Sequence, residues 1–241
     1  MKEKTEAIIL QTTKYGDNKI IVNTYSRKYG KMGFAFKINS LKSKTNLMSY
    51  CQPLFQTEIE FNNKSNNAIA SVSNISLNYT YTSIPFSHTK TATAMFIAEF
   101  LSKILIYSEK NIELFDYIAT SLQLFDQPEI CGRNFHIKFI IQISKFLGFY
   151  PSNRYSDLKP CFDLSKSKFT FDTPGVKHII RPPFSEIFSK FLDTEYINCE
   201  SIPLSGNDRK YLVEKIIQYY NYKFDNFNSF KSLDVLQEIF H

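Results

Sequence analysis

The most informative residues of this 241-residue chain are cations and aromatic side chains that lie close together near the N-terminus. Residues 1–50 contain ten Lys and Arg against three Asp and Glu. The net charge of this segment, +7, exceeds the net charge of the whole chain, which is +6. A one-sided positive field attracts polyanions and accelerates their encounter with that end. A solubilising surface would not confine the excess charge to one segment. The charge distribution therefore predicts that the N-terminal region binds nucleic acid.

The candidate contacts are cations interleaved with aromatic residues of turns. Proteins that bind single strands combine a cationic groove with aromatic rings on which bases stack. Tyr15 and Tyr29 lie in predicted turns, where rings are exposed, whereas Phe34 and Phe36 share one strand face and are expected in the core. The complete candidate set is Lys14, Tyr15, Lys19, Arg27, Lys28, Tyr29, Lys31, Lys37, Lys42 and Lys44.

Residue types that hold metals or perform catalysis occur without the spacing that those functions need. The four cysteines are scattered, with no CxxC pair, and Cys161, His178 and Cys199 are too isolated to supply the close ligand pair of a zinc site. No GxxxxGK[ST], GxSxG or HExxH segment is present. We therefore expect a protein that is not an enzyme, that uses no metal or cofactor, and whose cysteines stay reduced in the cytoplasm.

The elements that must position the cationic residues are five short β-strands. Strands are predicted at 5–12, 19–25, 32–38, 54–61 and 68–77, and the segments 14–18 and 27–30 have turn chemistry. Five antiparallel strands over about eighty residues favour a small closed barrel of the OB type. A plain five-stranded meander remains open at this point.

After Pro85 the apolar spacing becomes that of helices. A helix is predicted around 95–103, a second begins after Asn111 as its N-cap, and further helices are expected near 183–192, 208–222 and the C-terminus. The segment 134–147 is apolar nearly all round and predicts a buried central helix. The predicted class is α+β, in which a five-stranded OB-type barrel over residues 1–80 precedes a mainly helical domain over 81–241. Two short β-like pieces at 161–164 and 168–172 form a small irregular insertion in that domain.

Several segments together resemble one known family. They are KTEAIILQTTKYGDNKIIVNTYSRKYGK, SIPF followed by FIAEFLSKIL, NFHIKFIIQISKFLGFYP and KSLDVLQEIF, in this order over nearly the whole chain. The chain resembles the RecO family of DNA repair proteins, in its Bacteroidetes-type form. No single one of these segments carries the resemblance alone.

The resemblance implies a recombination mediator with an OB domain and a helical domain. Such proteins bind single- and double-stranded DNA, anneal complementary strands, engage the C-terminal tail of the single-strand binding protein SSB, and work with RecR to load RecA. RecA is thus an indirect partner, and RecF is left open as a further one. The implied location is the cytoplasm, in association with the nucleoid, with no membrane contact.

Two features concern the helical domain. Many family members hold a four-cysteine zinc module in the region that matches residues 155–182, of which at most Cys161 survives here, so a degenerate zinc-ribbon-like insertion without zinc is expected at about 152–182. The SSB tail is acidic with an apolar end, so Arg133, Lys138 and Lys145 are the candidates for its cationic contacts. Ordinary helix-surface charge explains these three residues equally well.

Two other functions compete with this hypothesis. A generic OB-type DNA- or RNA-binding module with a helical protein-interaction domain shares the basic barrel, and failure to bind an SSB-tail peptide would favour it. A metal-dependent nuclease receives little support, since Glu58 and Glu60 fit solvent-facing positions of a strand.

Overall fold

Five β-strands form the N-terminal part of the chain. A computed structural model describes residues 2–37, 47–62, 69–105, 109–224, 227 and 229–239. Turn residues separate the predicted strands, and the observed strands follow that prediction with ends shifted by a few residues. They are β1 (Lys2–Lys14), β2 (Lys19–Ser26), β3 (Gly30–Lys37), β4 (Gln56–Asn62) and β5 (Ile69–Leu77).

The strands close into a barrel in the order β1-β2-β3-β5-β4. β4 pairs antiparallel with β1, and β3 pairs parallel with β5 through Phe34 and Ala70 and the residues on either side of them. A meander would pair β3 with β4, its neighbour along the chain. The parallel seam between β3 and β5 therefore confirms the OB-type barrel and excludes the meander.

Alternating apolar residues of the strands fill the barrel. Phe34 and Phe36 are buried, as predicted, and the ring of Phe34 packs edge-on against Phe61 at 5.2 Å between centroids. Full burial of one such side chain contributes about 1.5–3 kcal/mol, so burial of this cluster stabilises the barrel. Its members are Ala7, Ile9, Ile20, Val22, Phe34, Phe36, Cys51, Ile59, Phe61 and Ala70.

Helices dominate the rest of the described chain, as predicted. Asn111 caps the second helix, because its side chain accepts a hydrogen bond of 2.9 Å from the N–H of Leu114. Ser205 and Asp208 form a reciprocal capping box at the fifth helix. The α-helices are α1 (His88–Ile104), α2 (Ile112–Asp126), α3 (Phe135–Phe146), α4 (Phe184–Asp193), α5 (Gly206–Asn221) and α6 (Lys231–Ile239), with 3-10 helices at Ile84–Phe86 and Tyr196–Ser201. In the described ranges, none of these helices has the length and hydropathy needed to span a bilayer.

The predicted β insertion is a three-stranded antiparallel sheet in the order β7-β6-β8. Its strands are β6 (Cys161–Asp163), β7 (Lys168–Thr170) and β8 (Ile179–Ile180). The ring of Phe162 packs against Phe188 of α4 at 4.7 Å and against Tyr219 of α5 at 5.8 Å. One aromatic side chain of the central strand therefore fixes this sheet on two helices.

The chain divides into two compact units, which differ from the predicted domains in two segments. The first unit comprises residues 1–87 and 97–127, and the second comprises residues 88–96 and 128–241. Helix α2 belongs with the barrel, because the ring of Phe115 packs on Tyr25 and the amide of Gln56 donates to the Ala119 carbonyl at 3.0 Å. The prediction assigns residues 81–87 and 97–127 to the domain 81–241, whereas the structure groups both segments with the barrel.

Candidate nucleic-acid interface

Four of the predicted DNA-binding residues lie together at one end of the barrel, where β1 and β3 end and β2 begins. We call this the hairpin end, formed by Lys14, Tyr15, Lys19 and Lys37. The N–H of Tyr15 donates to the Lys19 carbonyl at 3.0 Å and closes the turn. All four side chains are exposed, and Tyr15 has 63% of its surface accessible. The hairpin end thus presents cations beside a free aromatic ring.

Lys19 and Lys37 stand directly opposite each other on adjacent strands. Such partners have Cβ atoms about 4.5–5.5 Å apart, and like charges at that distance destabilise a sheet. Neither of them, nor Lys14, forms an ion pair with any residue in the described ranges. An anion placed between the two ammonium groups would remove their repulsion.

The remaining described cations of the set lie at the opposite end of the barrel, one length of β2 away. Eight residues of strand span about 23 Å. We call this the turn end, formed by Arg27, Lys28, Tyr29 and Lys31. The structure therefore divides the predicted set into two groups. Lys42 and Lys44 lie outside the described residues.

Acidic partners neutralise Arg27 at the turn end. The Arg27 guanidinium donates to both carboxylate oxygens of Asp116 in α2, from Nε at 2.9 Å and from Nη2 at 3.0 Å. Glu6 lies 3.5 Å from the same Nε, and the bidentate contact lowers the pKa of Asp116. Nearby, the Lys4 ammonium pairs with Glu58 at 2.6 Å. The main cation of this end is thus already occupied by carboxylates.

Tyr29 is packed on the barrel rather than exposed. Its hydroxyl donates to the Glu3 carboxylate, and its ring meets Phe61 of the core edge-on at 5.7 Å. The Lys28 ammonium lies 6.0 Å from the ring centroid. The premise that Tyr29 is an exposed ring is therefore wrong, because the turn folds back over the barrel's apolar rim.

The three predicted contacts for the SSB tail do not form one surface. Arg133 and Lys145 are exposed, but Arg133 precedes the first residue of α3 and Lys145 lies in its last turn. The 12 residues of this helix span about 18 Å, so the two cations are far apart. Lys138 is 3% exposed, and its ammonium donates to the carbonyls of Phe191 at 2.8 Å and Leu192 at 3.3 Å. The premise that Lys138 is a surface cation is wrong, because α3 is buried all round and Lys138 satisfies the last carbonyls of α4. Burial lowers the pKa of its ammonium.

The thiols of Cys51 and Cys199 are buried. Burial raises the pKa of Cys51 and of Cys199 to about 12, so both stay protonated near neutral pH. In the part of the chain that the structure describes, no three His, Cys, Asp or Glu side chains are grouped as a metal site.

Asp126 is a structural residue that sequence reasoning missed. Its carboxylate, at the end of α2, accepts hydrogen bonds from the N–H groups of Thr82, Ser83 and Ile84 at 2.8–2.9 Å. Burial alone would raise its pKa, but the three backbone donors outweigh burial and the pKa is lowered. The only signal in the sequence is a carboxylate that directly follows the apolar residues Leu124 and Phe125 at the end of the helix. Asp126 fastens α2 to the chain that leaves the barrel.

The strand order and the hairpin end place the chain among proteins with an OB-type barrel, a class that binds oligonucleotides on its β2–β3 face and adjoining loops. The family model described as "Recombination protein O N terminal" matches residues 1–81, and the model described as "Recombination protein O C terminal" matches residues 86–234. The chain belongs to the RecO family of DNA repair proteins.

Individual members of the family align with this chain over their full length. The chain is 31% identical to the DNA repair protein RecO of Azobacteroides pseudotrichonymphae and 30% identical to that of Bacteroides fragilis. It is 28% identical to the DNA repair protein RecO of Flavobacterium psychrophilum. Each of these alignments covers 100% of both chains.

Proposed function

We propose that this chain is a recombination mediator without enzymatic activity, which binds single- and double-stranded DNA at the hairpin end and anneals complementary strands. The observation that carries the proposal is the directly opposed pair Lys19 and Lys37, exposed and without an acidic partner in the described ranges. Like-charged cross-strand neighbours are unfavourable alone, so a bound phosphate supplies the missing counter-charge.

The bound strand would run across the hairpin end. Phosphates contact Lys14, Lys19 and Lys37, and each neutralised phosphate releases counterions into the solvent. The exposed ring of Tyr15 stacks on a base, which is tolerant of sequence because every base has a flat face. The turn end contributes little, since Arg27 is already held by Asp116.

Recruitment would depend on the helical region. In this proposal Arg133 or Lys145 contacts the acidic C-terminal tail of SSB, whereas Lys138 has no part in it. RecR joins the DNA-bound protein, and the two load RecA onto gaps at the nucleoid, with RecF as an optional further partner. The family membership supports this series of steps.

Annealing of complementary strands already coated with the organism's own SSB is the test. Faster annealing with the protein than without it, together with single-strand affinity that falls steeply as salt rises, supports the proposal. If the protein binds naked strands but leaves coated strands unannealed, a generic OB-type binding module is the better assignment. If affinity barely changes between low and high salt, the phosphate mechanism is wrong.

A further inference from the structure

A second cationic surface lies at one end of the small sheet in the second unit. Residues 152–181 contain six basic and three acidic residues, whereas residues 182–241 contain six and nine. The apparent neutrality of the C-terminal region thus conceals a segregation of charge. We call the surface the ribbon patch, formed by Lys166, Lys168, Lys177, Tyr222 and Lys223.

The backbone brings the four lysines to the turn between β6 and β7. Lys166 lies in that turn, and Lys168 begins β7. The N–H of Leu164 donates to the His178 carbonyl at 3.0 Å, which places the neighbouring Lys177 beside the same turn. From the end of α5, the Lys223 ammonium donates to the Ser165 carbonyl at 3.3 Å. All four lysines are exposed.

One buried carboxylate faces these four cations among the described residues. Asp163 accepts hydrogen bonds from the N–H and hydroxyl of Ser165, at 2.9 and 2.7 Å, and from the N–H of Lys166 at 3.0 Å. The Lys166 ammonium is 3.6 Å from its second oxygen, and the His178 ring is 3.9 Å from it. Asp163 therefore orders the turn and leaves most of the patch's positive charge uncompensated.

An exposed aromatic ring completes the patch. Tyr222 has 46% of its surface accessible, and its ring lies 6.1 Å from that of His178. Cations that converge beside an accessible ring are the combination with which proteins hold single strands. An acidic peptide with an apolar end would need an apolar pocket, whereas the turn offers the polar residues Ser165 and Ser167.

We propose that the ribbon patch is a second DNA site, at which lysines contact the phosphates of one strand and Tyr222 stacks on a base. The inference rests on the proposed annealing function, because a protein that pairs two strands gains from holding each of them. The hairpin end holds the first strand, and the ribbon patch holds the second.

The test counts the short strands bound by each full-length chain. A labelled oligonucleotide of about ten nucleotides, a length that one small site accommodates, is titrated to saturation at low salt. We expect two oligonucleotides per wild-type chain and one for the variant Lys166→Ala, Lys168→Ala, Lys177→Ala. The control Lys190→Ala, Lys210→Ala, Lys231→Ala removes the same charge from exposed positions of the same unit and should still bind two. Thermal unfolding confirms that each variant is folded.

The hairpin variant Lys19→Ala, Lys37→Ala separates the two proposals. Loss of one strand in each variant supports both proposals, and the strand that the ribbon variant still binds should keep the salt dependence of the hairpin end. A ribbon variant that still binds two strands overturns the second site and leaves the proposed function intact. A hairpin variant that still binds two overturns the barrel site alone. A ribbon variant that keeps both strands but loses an SSB-tail peptide identifies a peptide site and overturns the inference.

Discussion

The two ends of the barrel carry similar cations but differ in what surrounds them. At the hairpin end, Lys19 and Lys37 face each other with no acidic partner in the described ranges. At the turn end, Arg27 forms a bidentate pair with Asp116. Under the proposed function, the two ends therefore differ in whether a carboxylate already holds a cation, and not in how many cations each end carries.

Helix α2 produces the difference. It packs along the barrel and brings Asp116 to Arg27, while its last residue, Asp126, holds the chain that follows β5. An ion pair at a partly exposed site contributes little stability but removes a cation from competition for phosphate. The same helix that packs on the barrel therefore neutralises Arg27, one of the three cations at the turn end.

Reversal of charge at the hairpin end should have the largest effect. Lys19→Glu with Lys37→Glu removes two charge-assisted contacts and adds repulsion, so single-strand affinity should fall about 100-fold. The affinity is measured by fluorescence anisotropy of a labelled single strand at a fixed salt concentration. Lys28→Glu with Lys31→Glu makes the same charge change at the turn end and should cost less than about threefold. Equal losses in the two variants would abolish the distinction between the ends.

Loss of the Asp126 carboxylate should release α2. In Asp126→Asn an amide group must face backbone N–H donors, so the free energy of unfolding in urea should fall by about 2 kcal/mol. Because the folded pKa is lowered, the wild-type contribution is complete above the unfolded pKa of about 3.9 and is lost as the pH falls through the folded value. The variant should lack this acid-dependent step, and exposed Asp157→Asn should retain it. An unchanged pH profile in Asp126→Asn would show that α2 is held by other contacts.

The two tyrosines should separate binding from stability. Tyr15→Leu should weaken single-strand binding about tenfold with an unchanged salt slope, because stacking involves no counterion release. Tyr29→Leu should leave DNA affinity unchanged and lower the melting temperature, because its ring packs on Phe61. The opposite pattern would place the DNA at the turn end.

The smallest change is expected from the ion pair itself. Arg27→Ala should alter DNA affinity less than about twofold and lower Tm by about 2 °C, as expected for a partly exposed pair. Asp116→Ala removes the bidentate partner and leaves only Glu6 near the guanidinium, so affinity should increase about twofold. A loss of affinity in Asp116→Ala would contradict the view that the carboxylate competes with phosphate.

The barrel was predictable from local patterns, but its closure was not. Turn residues and alternation located all five strands, since both signals lie within a few residues. The seam that pairs Ala35 with Ser71 joins residues that are distant in the chain, so the sequence left the OB barrel and the meander as alternatives. The assignment of α2 to the barrel likewise depends on partners, such as Gln56 and Ala119, that no local pattern connects.

The candidate site was predictable as a segment and not as a surface. The excess of Lys and Arg located the barrel, but strand pairing decided which cations meet and which find carboxylates. Lys138 shows the limit most clearly. The segment 134–147 predicted a buried helix, and a lysine within it needed buried acceptors, which the carbonyls of Phe191 and Leu192 provide. The ribbon patch was not predicted, because a charge count over the whole C-terminal region balances its lysines against acidic residues elsewhere in that region.

The parallel seam of the barrel has a consequence for the order of folding. β1, β2 and β3 form from sequential hairpins, but the ring closes only when β5, which ends at Leu77, pairs with β3. Contacts between distant residues require slow loop closure, so closure follows hairpin formation in time. On the ribosome the first three strands therefore emerge with an open edge on β3, and the barrel closes only after the fifth strand has been synthesised.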